Sequence, residues 1–493
     1  MQKLNLLLKY IDFIKLIGNS DISVHSIEYN SKNVSQNSLF VAIKGDKFDG
    51  HQFIDEAIRK GATSIVCQDL PQNLIDNITY IQVLNSRIAL AELANAFFDF
   101  PSNKLKVIGI TGTNGKTTIT FLLNSIFEYF HKKTAIIGTT GIYINNNKIP
   151  ATHTTPESLE LFGYLNQCVE QEIDYVSMEV SSHSLLQNRV HNVNFVAAAF
   201  TNLTQDHLDY HKTMQDYANA KKILFDNISP DAIVVINSDD KYSDYMISDT
   251  KAKNLIKVGR QAGADYIISN EHLSLAGLDF EIIHKNKSYK IKSKMLGKFN
   301  IDNLSQAFAI ASELGINPDE IPLALKNAIG APGRMEKYDL TNGAVAIIDY
   351  AHTPDALEKA LQSLREVHLS SNTKGKIICV FGCGGNRDQA KRPMMGRIAS
   401  NLAEYIIITN DNPRLENPEK IFENILDGIP SDKRDNVEVI PEREKAIKLA
   451  IEKSSKNDII LIAGKGHEEY QIIGTEKIAF RDKDIILKNC VLK

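Results

Sequence analysis

The stretch Gly109-Ile110-Thr111-Gly112-Thr113-Asn114-Gly115-Lys116-Thr117-Thr118 decides the fold of this 493-residue chain. It follows an apolar run that begins at Val107, and it opens a segment whose apolar side chains include Leu122, Leu123, Ile126 and Phe130. In a loop between a strand and a helix, glycines let backbone N–H groups converge on phosphate oxygens. The strict phosphate-loop pattern has glycine where Ile110 stands, so this loop is a variant. A glycine-rich turn with a chance Lys-Thr pair is the alternative, but the flanking elements favour nucleotide binding.

Within this loop, Lys116 can reach the terminal phosphates and Thr117 can hold magnesium. The residues that we expect to bind the nucleotide are Gly112, Thr113, Asn114, Gly115, Lys116, Thr117 and Thr118. The loop alone does not identify the reaction that follows nucleotide binding.

The composition excludes several classes of protein. Apolar content of 43%, charged content of 24% and a net charge of −4 are typical of a globular protein and argue against nucleic acid as the main partner. The longest apolar runs, such as 193–200, are strand-sized and too short to cross a membrane, and the start lacks a signal-peptide pattern. Five scattered cysteines predict no disulfide framework, and Cys379 and Cys383 are interpreted as structural residues rather than metal ligands. We therefore expect a cytoplasmic protein. We also expect a monomer.

Short apolar runs alternate with helical periodicity throughout, which predicts an α/β fold with mainly parallel sheets. Linker-like segments at 100–103 and 331–334 divide the chain into three predicted domains, 1–103, 104–333 and 334–493. The strands predicted in the third domain lie near 345–349, 376–381, 405–409 and 458–463.

Polar residues follow two predicted strands of the second domain. One strand delivers Glu179 near its carboxyl end, where ligands collect in an open α/β sheet. The other, 195–200, is followed by four ionisable residues within the six positions 206–211. A metal or phosphate site explains such a loop, and magnesium fits the phosphate loop better than the alternative of zinc on His207 and His211.

Lys221 lies on an apolar stripe of a helix predicted over 213–228. Met214, Tyr217, Leu224 and Ile228 form this stripe at steps of three and four, whereas Lys222 falls off it. Burial of an ammonium is costly and lowers its pKa. Either the side chain reaches water with its tip, or a neutral amine reacts with carbon dioxide to give a carbamate that can bind metal.

Six motifs together resemble the signatures of the Mur ligase family: 111–117, 178–183, 201–207, 331–335, 348–354 and 463–468. The resemblance implies a UDP-binding α/β domain, a central P-loop ATPase domain and a C-terminal Rossmann-like amino-acid domain. It also places Lys221 where the family carries a carbamylated lysine.

The resemblance implies an ATP-dependent acid–amino-acid ligase of peptidoglycan precursor synthesis. ATP would phosphorylate the D-glutamyl γ-carboxylate of UDP-N-acetylmuramoyl-L-alanyl-D-glutamate, and an amine would attack the acyl phosphate. The implied catalytic residues are Lys116, Glu179, His207 and carbamylated Lys221, and the implied Mg²⁺ ligands are Thr117, Glu179, His207 and Lys221. Asn303, Arg334 and Asp349 match positions that contact ATP in relatives, with helix capping or interdomain pairing as the alternative.

For the nucleotide-sugar substrate, the resemblance implies two sets of contacts. In the first domain they are Tyr29, Ser31, Asp46, Lys47 and Phe48. For the peptidyl part they are Thr154, Thr155, Ser181, Gln187 and Arg189. His153 stands where relatives often carry Asn. Thr155-Pro156 is also expected to be the N-cap and first residue of a helix.

The loop Asp411-Asn412-Pro413-Arg414 resembles the motif of family members that add meso-diaminopimelate. The distal carboxylate of that amino acid can be bound at two points by an arginine fork. Arg387, Gly464 and Glu468 match further contacts. The alternatives are an L-lysine-adding Mur ligase, a ligase similar to folylpolyglutamate synthase, and a P-loop switch that uses ATP only to change shape.

Overall fold

The computed structural model describes residues 2–45, 48–328, 330–370 and 374–490, so the predicted contacts Asp46 and Lys47 lie outside the described residues. The chain forms two compact units. The first contains residues 1–116, 127–236 and 240–255, and the second contains 117–126, 237–239 and 256–493.

The first unit begins with a five-stranded sheet of order β2-β7-β6-β5-β4, in which β4 to β7 are parallel and β2 is an antiparallel edge. The strands of this segment are β1 (Gln2–Lys3), β2 (Lys15–Ile17), β3 (Ser23–Val24), β4 (Ser26–Glu28), β5 (Ser38–Val41), β6 (Ala62–Cys67) and β7 (Thr79–Gln82), and its helices are α1 (Leu4–Leu7), α2 (Ile54–Arg59) and α3 (Ser86–Phe97). Apolar residues on one face of the sheet, among them Leu39, Val41 and Val66, pack on Leu90 and Leu93 of α3.

The phosphate loop follows the middle one of five parallel strands in a second array, which two antiparallel strands extend at one edge. Its strands are β8 (Lys106–Thr111), β9 (Thr134–Gly138), β10 (Gly141–Ile144), β11 (Asn147–Ile149), β12 (Tyr175–Glu179), β13 (Phe195–Phe200) and β14 (Ile233–Asn237), in the order β11-β10-β9-β12-β8-β13-β14. The helices are α4 (Lys116–Tyr129), α5 (Ser158–Glu170), α6 (Ser182–Leu186), α7 (Leu208–His211), α8 (Met214–Asp226) and α9 (Ser243–Met246). Because β12, β8 and β13 are parallel neighbours, Glu179, the phosphate loop and the segment after Phe200 leave the same edge of the sheet.

In the second unit, two antiparallel hairpins follow a parallel pair. The strands β15 (Asn254–Gly259), β16 (Tyr266–Ser274), β17 (Gly277–His284) and β18 (Lys287–Ser293) lie in that order and are followed by α10 (Phe299–Glu313) and α11 (Ile321–Asn327).

The C-terminal part of the second unit is a six-stranded sheet of order β19-β20-β24-β21-β22-β23, parallel except for β19. Its strands are β19 (Glu336–Asp339), β20 (Val345–Asp349), β21 (Ile377–Phe381), β22 (Tyr405–Ile408), β23 (Val437–Val439) and β24 (Ile459–Ala463), followed by the hairpin β25 (Tyr470–Ile473) and β26 (Glu476–Ala479). The helices are α12 (Pro354–Ser370), α13 (Lys391–Leu402), α14 (Pro418–Leu426), α15 (Arg443–Lys453) and α16 (Asp482–Leu487).

Alternation of side chains gives this sheet two apolar faces. Ile347 and Phe381 pack under α12 to α14, whereas Ile348 and Val380 pack under α15 and α16. The predicted α/β fold with mainly parallel sheets is confirmed. Cys379 and Cys383 are buried thiols in and just after β21, and burial raises the pKa of each to about 12, in line with their structural interpretation.

None of the described helices has both the length and the apolar character needed to cross a membrane.

Candidate functional site

The phosphate loop is held by the segment that follows β13. Thr113 N donates to Asn202 O at 2.8 Å, and Asn114 N donates to Asn202 Oδ1 at 3.0 Å. The Thr201 hydroxyl donates to Asn114 O at 2.6 Å. Gly112 has φ +143°, and a Cβ there would lie 1.9 Å from Thr201 Oγ1, so this position requires glycine.

Two lysines donate to the same carbonyl of this loop. Lys116 Nζ donates to Gly112 O and Thr113 O, both at 2.8 Å, and Lys221 Nζ donates to Gly112 O at 2.8 Å. Lys221 is only 1% exposed, and its Nζ lies 4.6 Å from the centre of the Tyr217 ring. Burial, and then the charge of Lys116, hold the pKa of Lys221 well below its ordinary value. The alternative in which its tip reaches water is therefore wrong, and the neutral amine is favoured.

The predicted helix around Lys221 is α8, and its burial extends further than the stripe indicated. Lys222, expected off the buried stripe, is 6% exposed. Its ammonium pairs with Asp226 at 2.5 Å and with Asp249 at 2.6 Å. The stripe could not reveal this because Asp249 comes from beyond α9.

Glu179 at the end of β12 is 1% exposed and is held in place by Thr139. Its Oε1 accepts from Thr139 N at 2.8 Å, and its Oε2 accepts from the Thr139 hydroxyl at 3.2 Å. The same hydroxyl lies 3.1 Å from Thr154 Oγ1. The structure thus joins two predicted site residues, Glu179 and Thr154, through a threonine that the motifs did not single out.

Three imidazoles lie together at this edge. The rings of His207 and His183 are 5.0 Å apart, and burial lowers the pKa of both. Burial lowers the pKa of His211 to about 4, and its Nε2 is hydrogen-bonded to Ser182 Oγ at 2.8 Å. All three rings are therefore neutral at physiological pH, which is the form that binds a metal.

The donor set fits magnesium better than zinc. Among the residues that the structure describes, no group of three or more His, Cys, Asp or Glu side chains could hold a metal ion, and His211 is engaged by Ser182. Magnesium needs only one or two carboxylates because phosphates and water complete its shell. Glu179 meets that need, and a carbamate on Lys221 would add a second anionic oxygen donor.

The residues predicted for the peptidyl substrate form one hydrogen-bonded group. Thr155 Oγ1 donates to Glu179 O at 2.8 Å and accepts from Ser181 N at 3.1 Å. Arg189 donates to Thr155 O at 2.9 Å and to Gln187 Oε1 at 2.6 Å. A guanidinium and several hydroxyls thus meet at the point where Glu179 leaves the sheet.

The predicted N-cap at Thr155 is wrong, because α5 begins at Ser158 with Glu157 at the N-cap position. The Thr155 oxygen accepts from Ser181 N at 3.1 Å rather than from an N–H group of α5, so it does not cap that helix. Glu157 pairs instead with Arg189 at 2.9 Å and with Arg87 of α3 at 3.5 Å. His153 is exposed, and its Nδ1 lies 3.1 Å from the Thr152 hydroxyl oxygen, within hydrogen-bond distance.

The predicted contacts in the first 103 residues are partly organised by acidic residues. The Tyr29 hydroxyl donates to Glu160 Oε1 at 2.7 Å, and burial raises the pKa of Tyr29, so the hydroxyl keeps its proton. Ser31 Oγ donates to Glu56 Oε2 at 3.0 Å. Phe48 is 73% exposed, which leaves its ring available for a ligand.

Two of the predicted ATP contacts lie together in the second unit. Asp349, at the end of β20, accepts from Met335 N at 2.8 Å and from Ala351 N at 2.9 Å, and burial raises its pKa. The Arg334 guanidinium lies 4.7 Å from the centre of the Tyr350 ring, and its buried Nε has no partner among the described residues. Asn303 is elsewhere, bonded within α10 to Asn300 at 2.8 Å.

A buried polar cluster follows β22 and β24. Asn412 Nδ2 and Lys465 Nζ both donate to Glu468 Oε2 at 2.9 Å. The Lys465 ammonium, which is fully buried, also lies 3.7 Å from Asp411 Oδ1, an atom with no hydrogen bond among the described residues. Lys465 was not predicted as a site residue, although it lies inside the motif that contains Gly464 and Glu468.

Arg414 presents part of its guanidinium to this region. Its φ is +54°, and its Nη1 donates to Gly385 O at 3.0 Å and to Asn412 O at 3.3 Å. Among the described residues, Nε and Nη2 of Arg414 and the whole exposed guanidinium of Arg387 have no hydrogen-bond partner. These N–H groups can donate hydrogen bonds to the carboxylate of a ligand.

The loops after β21 and β22 are packed backbone to backbone. A Cβ at Gly382 would lie 2.0 Å from Thr409 O, and one at Gly385 would lie 1.9 Å from Pro413 O. A Cβ at Gly384 would lie 2.9 Å from Arg414 Nη1. Because these glycines have no side chains, the loop after β22, which carries Arg414, can approach the loop after β21 closely.

Comparison with known proteins covers nearly the whole chain. Three family models match: the Mur ligase family catalytic domain at 23–98, the Mur ligase middle domain at 110–311 and the Mur ligase glutamate ligase domain at 333–466. UDP-N-acetylmuramoyl-L-alanyl-D-glutamate–2,6-diaminopimelate ligase 1 of Clostridium acetobutylicum is 42% identical over 486 residues, which is 98% of each chain.

Among solved structures, a UDP-N-acetylmuramoyl-L-alanyl-D-glutamate–2,6-diaminopimelate ligase matches with a TM-score of 0.71 and 32% identity, covering 97% of this chain and 96% of that chain. Folylpolyglutamate synthase of Mycobacterium tuberculosis, complexed with ADP and AMPPCP, matches with a TM-score of 0.61 at 16% identity, covering 76% of this chain and 92% of that chain. The latter likeness shows a shared fold alone. With 42% identity to a Mur ligase along 98% of its length, and with the six motifs in place, this chain belongs to the Mur ligase family.

Proposed function

We propose that this chain is the ATP-dependent ligase that joins meso-2,6-diaminopimelate to the D-glutamyl γ-carboxylate of UDP-N-acetylmuramoyl-L-alanyl-D-glutamate. The observation that carries the proposal is the Arg414 guanidinium, whose Nε and Nη2 have no hydrogen-bond partner in the described part of the chain, beside the buried cluster of Asp411, Asn412 and Glu468. The predicted ligase activity is confirmed, because relatives similar along nearly the whole chain are named UDP-N-acetylmuramoyl-L-alanyl-D-glutamate–2,6-diaminopimelate ligases. ATP use follows from membership of the family.

The predicted division into domains is part of the proposal. Residues 1–103 would bind the UDP-sugar, 104–333 would bind ATP, and 334–493 would bind the amino acid. The family models over 23–98, 110–311 and 333–466 support this division, because its first boundary lies in the gap 99–109 and its second lies one residue beyond the gap 312–332.

At the nucleotide end, the N–H groups of 112–118 would surround the phosphates. The Lys116 ammonium, which donates to carbonyls of its own loop, would transfer those hydrogen bonds to a phosphate. Arg334 and Asp349 would bind elsewhere on ATP, supported by the unpaired Arg334 Nε, and Asn303 would add a side-chain amide.

The predicted Mg²⁺ ligands are Thr117, Glu179, His207 and Lys221. When bound, Mg²⁺ would neutralise the charge on the phosphoryl oxygens. Thr139 holds the Glu179 carboxylate in one orientation, and burial keeps His207 neutral. The buried Lys221 amine can attack the carbon of carbon dioxide, form an N–C bond and lose one proton. The product is a carbamate anion, which converts the buried amine into an anionic oxygen ligand.

The reaction requires activation because a carboxylate is a poor electrophile. Phosphorylation of the γ-carboxylate gives an acyl phosphate, and the amine of diaminopimelate then displaces phosphate. Charge develops on oxygens, so the cations of this chain serve as electrostatic stabilisers rather than nucleophiles. We propose that Thr154, Thr155, Ser181, Gln187 and Arg189 orient the glutamyl end, and that Tyr29, Ser31, Asp46, Lys47 and Phe48 contact the UDP-sugar.

At the amino-acid end, Arg414 and Arg387 would bind the distal carboxylate. Glu468 would accept from the distal ammonium, although Asn412 and Lys465 already donate to one of its oxygens. Asp411 offers a further buried acceptor, and Pro413 and Gly464 shape the backbone around it.

The test is a product-resolved ligation assay. The enzyme is given ATP, Mg²⁺, UDP-N-acetylmuramoyl-L-alanyl-D-glutamate and either meso-diaminopimelate or L-lysine. A parallel reaction contains ATP, Mg²⁺, a folate and L-glutamate, and all products are separated by mass. We expect the diaminopimelate tripeptide with stoichiometric ADP. Exclusive lysine addition would favour the lysine-adding alternative, glutamate addition to a folate would favour the synthase-like one, and ATP hydrolysis without ligation would favour a switch. The cytoplasmic location and the monomeric state stay predictions.

A further inference from the structure

Arg392, the second residue of α13, is a fully buried arginine that the proposed reaction does not use. Its guanidinium forms a two-point pair with Glu416: Nη1 lies 2.7 Å from Oε1, and Nη2 lies 2.8 Å from Oε2. Nη1 also donates to Asn424 Oδ1 at 3.0 Å, and Nη2 to Gly384 O at 3.4 Å. A buried charge of this kind is costly unless its partner is fixed.

Glu416 extends the pair to the backbone of a second loop. Its Oε2 also accepts from Asn386 N at 2.8 Å, and Asn386 Oδ1 accepts from Leu415 N at 3.2 Å. Each of the two loops, the one after β21 and the one after β22, therefore donates a backbone hydrogen bond to a side chain of the other, next to the Arg392 guanidinium.

These two loops carry the two arginines proposed to bind the amino acid. Arg387 follows Asn386 directly, and Arg414 precedes Glu416 by two positions. A carboxylate so close to Arg414 is a potential internal competitor for the substrate carboxylate. Because Arg392 and Asn386 N occupy both oxygens of Glu416, that carboxylate is unavailable to Arg414.

We propose that the Arg392–Glu416 pair is a positioning device for amino-acid specificity. It fixes the loops that carry Arg387 and Arg414, and it keeps Glu416 from neutralising Arg414. Arg392 is a positioning residue, since it acts through Glu416. The inference rests on the proposed function, in which these two arginines bind the distal carboxylate.

The first variant is Glu416→Gln, which keeps the size of the side chain and removes its charge. We expect the KM for diaminopimelate to rise about tenfold or more, because a shift of about 1 Å in a binding group can cost that much. The kcat and the KM values for ATP and UDP-substrate should stay near those of wild type. The preference for diaminopimelate over lysine should fall by a similar factor.

In Glu416→Gln, Arg392 is left buried without a charged partner, so the variant could lose activity through misfolding. A second variant separates this effect from the loss of positioning. The double variant Arg392→Leu/Glu416→Leu replaces the pair by apolar side chains, a change that buried ion pairs often tolerate. It should fold and show the same loss of diaminopimelate affinity and preference.

Glu404→Gln is the matched control. Glu404 also accepts from an arginine, Arg365, at 2.7 Å and from a backbone N–H, Ile377 N, at 2.7 Å. Neither partner lies in the loops that carry Arg387 and Arg414. It should leave all three KM values unchanged.

Unaltered diaminopimelate KM and preference in both Glu416 variants would overturn the inference, as would an equal rise of all three KM values. Wild-type enzyme tested alongside separates the two hypotheses. If it does not prefer diaminopimelate, the proposed function fails; if it does and the variants match it, only the positioning role fails.

Discussion

Replacement of Arg414 by alanine is expected to weaken diaminopimelate binding selectively. The Nε and Nη2 groups have no partner among the described residues, so the loss corresponds to two charge-assisted hydrogen bonds. At about 1.5–3 kcal/mol each, their removal costs about 3–6 kcal/mol, which is a rise of about two to four decades in the KM for diaminopimelate. Lysine lacks the distal carboxylate, so its poor addition should be little affected or slightly improved.

The assay measures ADP release at saturating ATP and UDP-substrate, with diaminopimelate or lysine varied. Arg414→Lys is the matched variant because it keeps the charge but not the fork, and the strain at φ +54° is similar for lysine and alanine. We expect it to recover only part of the lost affinity. Thermal unfolding of each variant reports the separate effect of losing the bond to Gly385 O.

Two results would refute this reasoning. Efficient lysine addition by the wild-type enzyme would show that Arg414 does not discriminate by the distal carboxylate. An equal rise in the KM values for ATP, UDP-substrate and diaminopimelate in Arg414→Ala would show that Arg414 supports the loop rather than the ligand.

Three further outcomes are expected. Lys221→Ala should abolish ligation while the thermal unfolding temperature is maintained, and small carboxylic acids should restore part of the activity; wild-type turnover in this variant would disprove the carbamate role. Lys116→Ala and Glu179→Gln should slow acyl-phosphate formation more than they weaken UDP-substrate binding, since phosphoryl charge grows toward the transition state; titration of labelled UDP-substrate showing a large loss of affinity, with phosphoryl transfer intact, would contradict this. The Arg392 pair lowers the pKa of Glu416 from 4.5 to about 2, so its stabilising effect is present above pH 4.5 and is lost as pH falls toward 2. The difference in unfolding temperature between wild type and Glu416→Gln should therefore shrink between about pH 7 and about pH 3, and a constant difference would argue against a native ion pair.

The parts of the fold that the sequence predicted are those fixed by local pattern. The phosphate loop stands between β8 and α4 as predicted, and the third-domain strands occur at the expected positions. The antiparallel hairpins β16 to β18 were not predicted, because their alternation resembles that of any strand and their pairing depends on neighbours. The N-cap at Thr155 failed for a similar reason: its hydroxyl oxygen accepts from Ser181 N, a partner that only tertiary structure supplies.

The site shows the same division. Lys221 was predicted because a helix stripe is a local pattern, and its burial is as expected. Lys222, Arg392 and Lys465 were not, because each is paired with a carboxylate that is distant in sequence: Asp249, Glu416 and Asp411. For Arg392 that partner, Glu416, is 24 residues away in sequence. The motifs located the chemistry of the site, while the charges that support it depend on tertiary contacts.

The close packing of the glycine loop has a consequence for attempts to redirect the enzyme to other amino acids. A Cβ at Gly385 would lie 1.9 Å from Pro413 O, and one at Gly382 would lie 2.0 Å from Thr409 O. Any larger residue at these positions would therefore displace the loop that carries Arg414. Libraries for altered specificity are better concentrated on Arg387 and Leu415, whose side chains are exposed and can vary without moving the backbone. The substrate range of this ligase can therefore be broadened by substituting exposed side chains of these loops while the glycines are left unchanged.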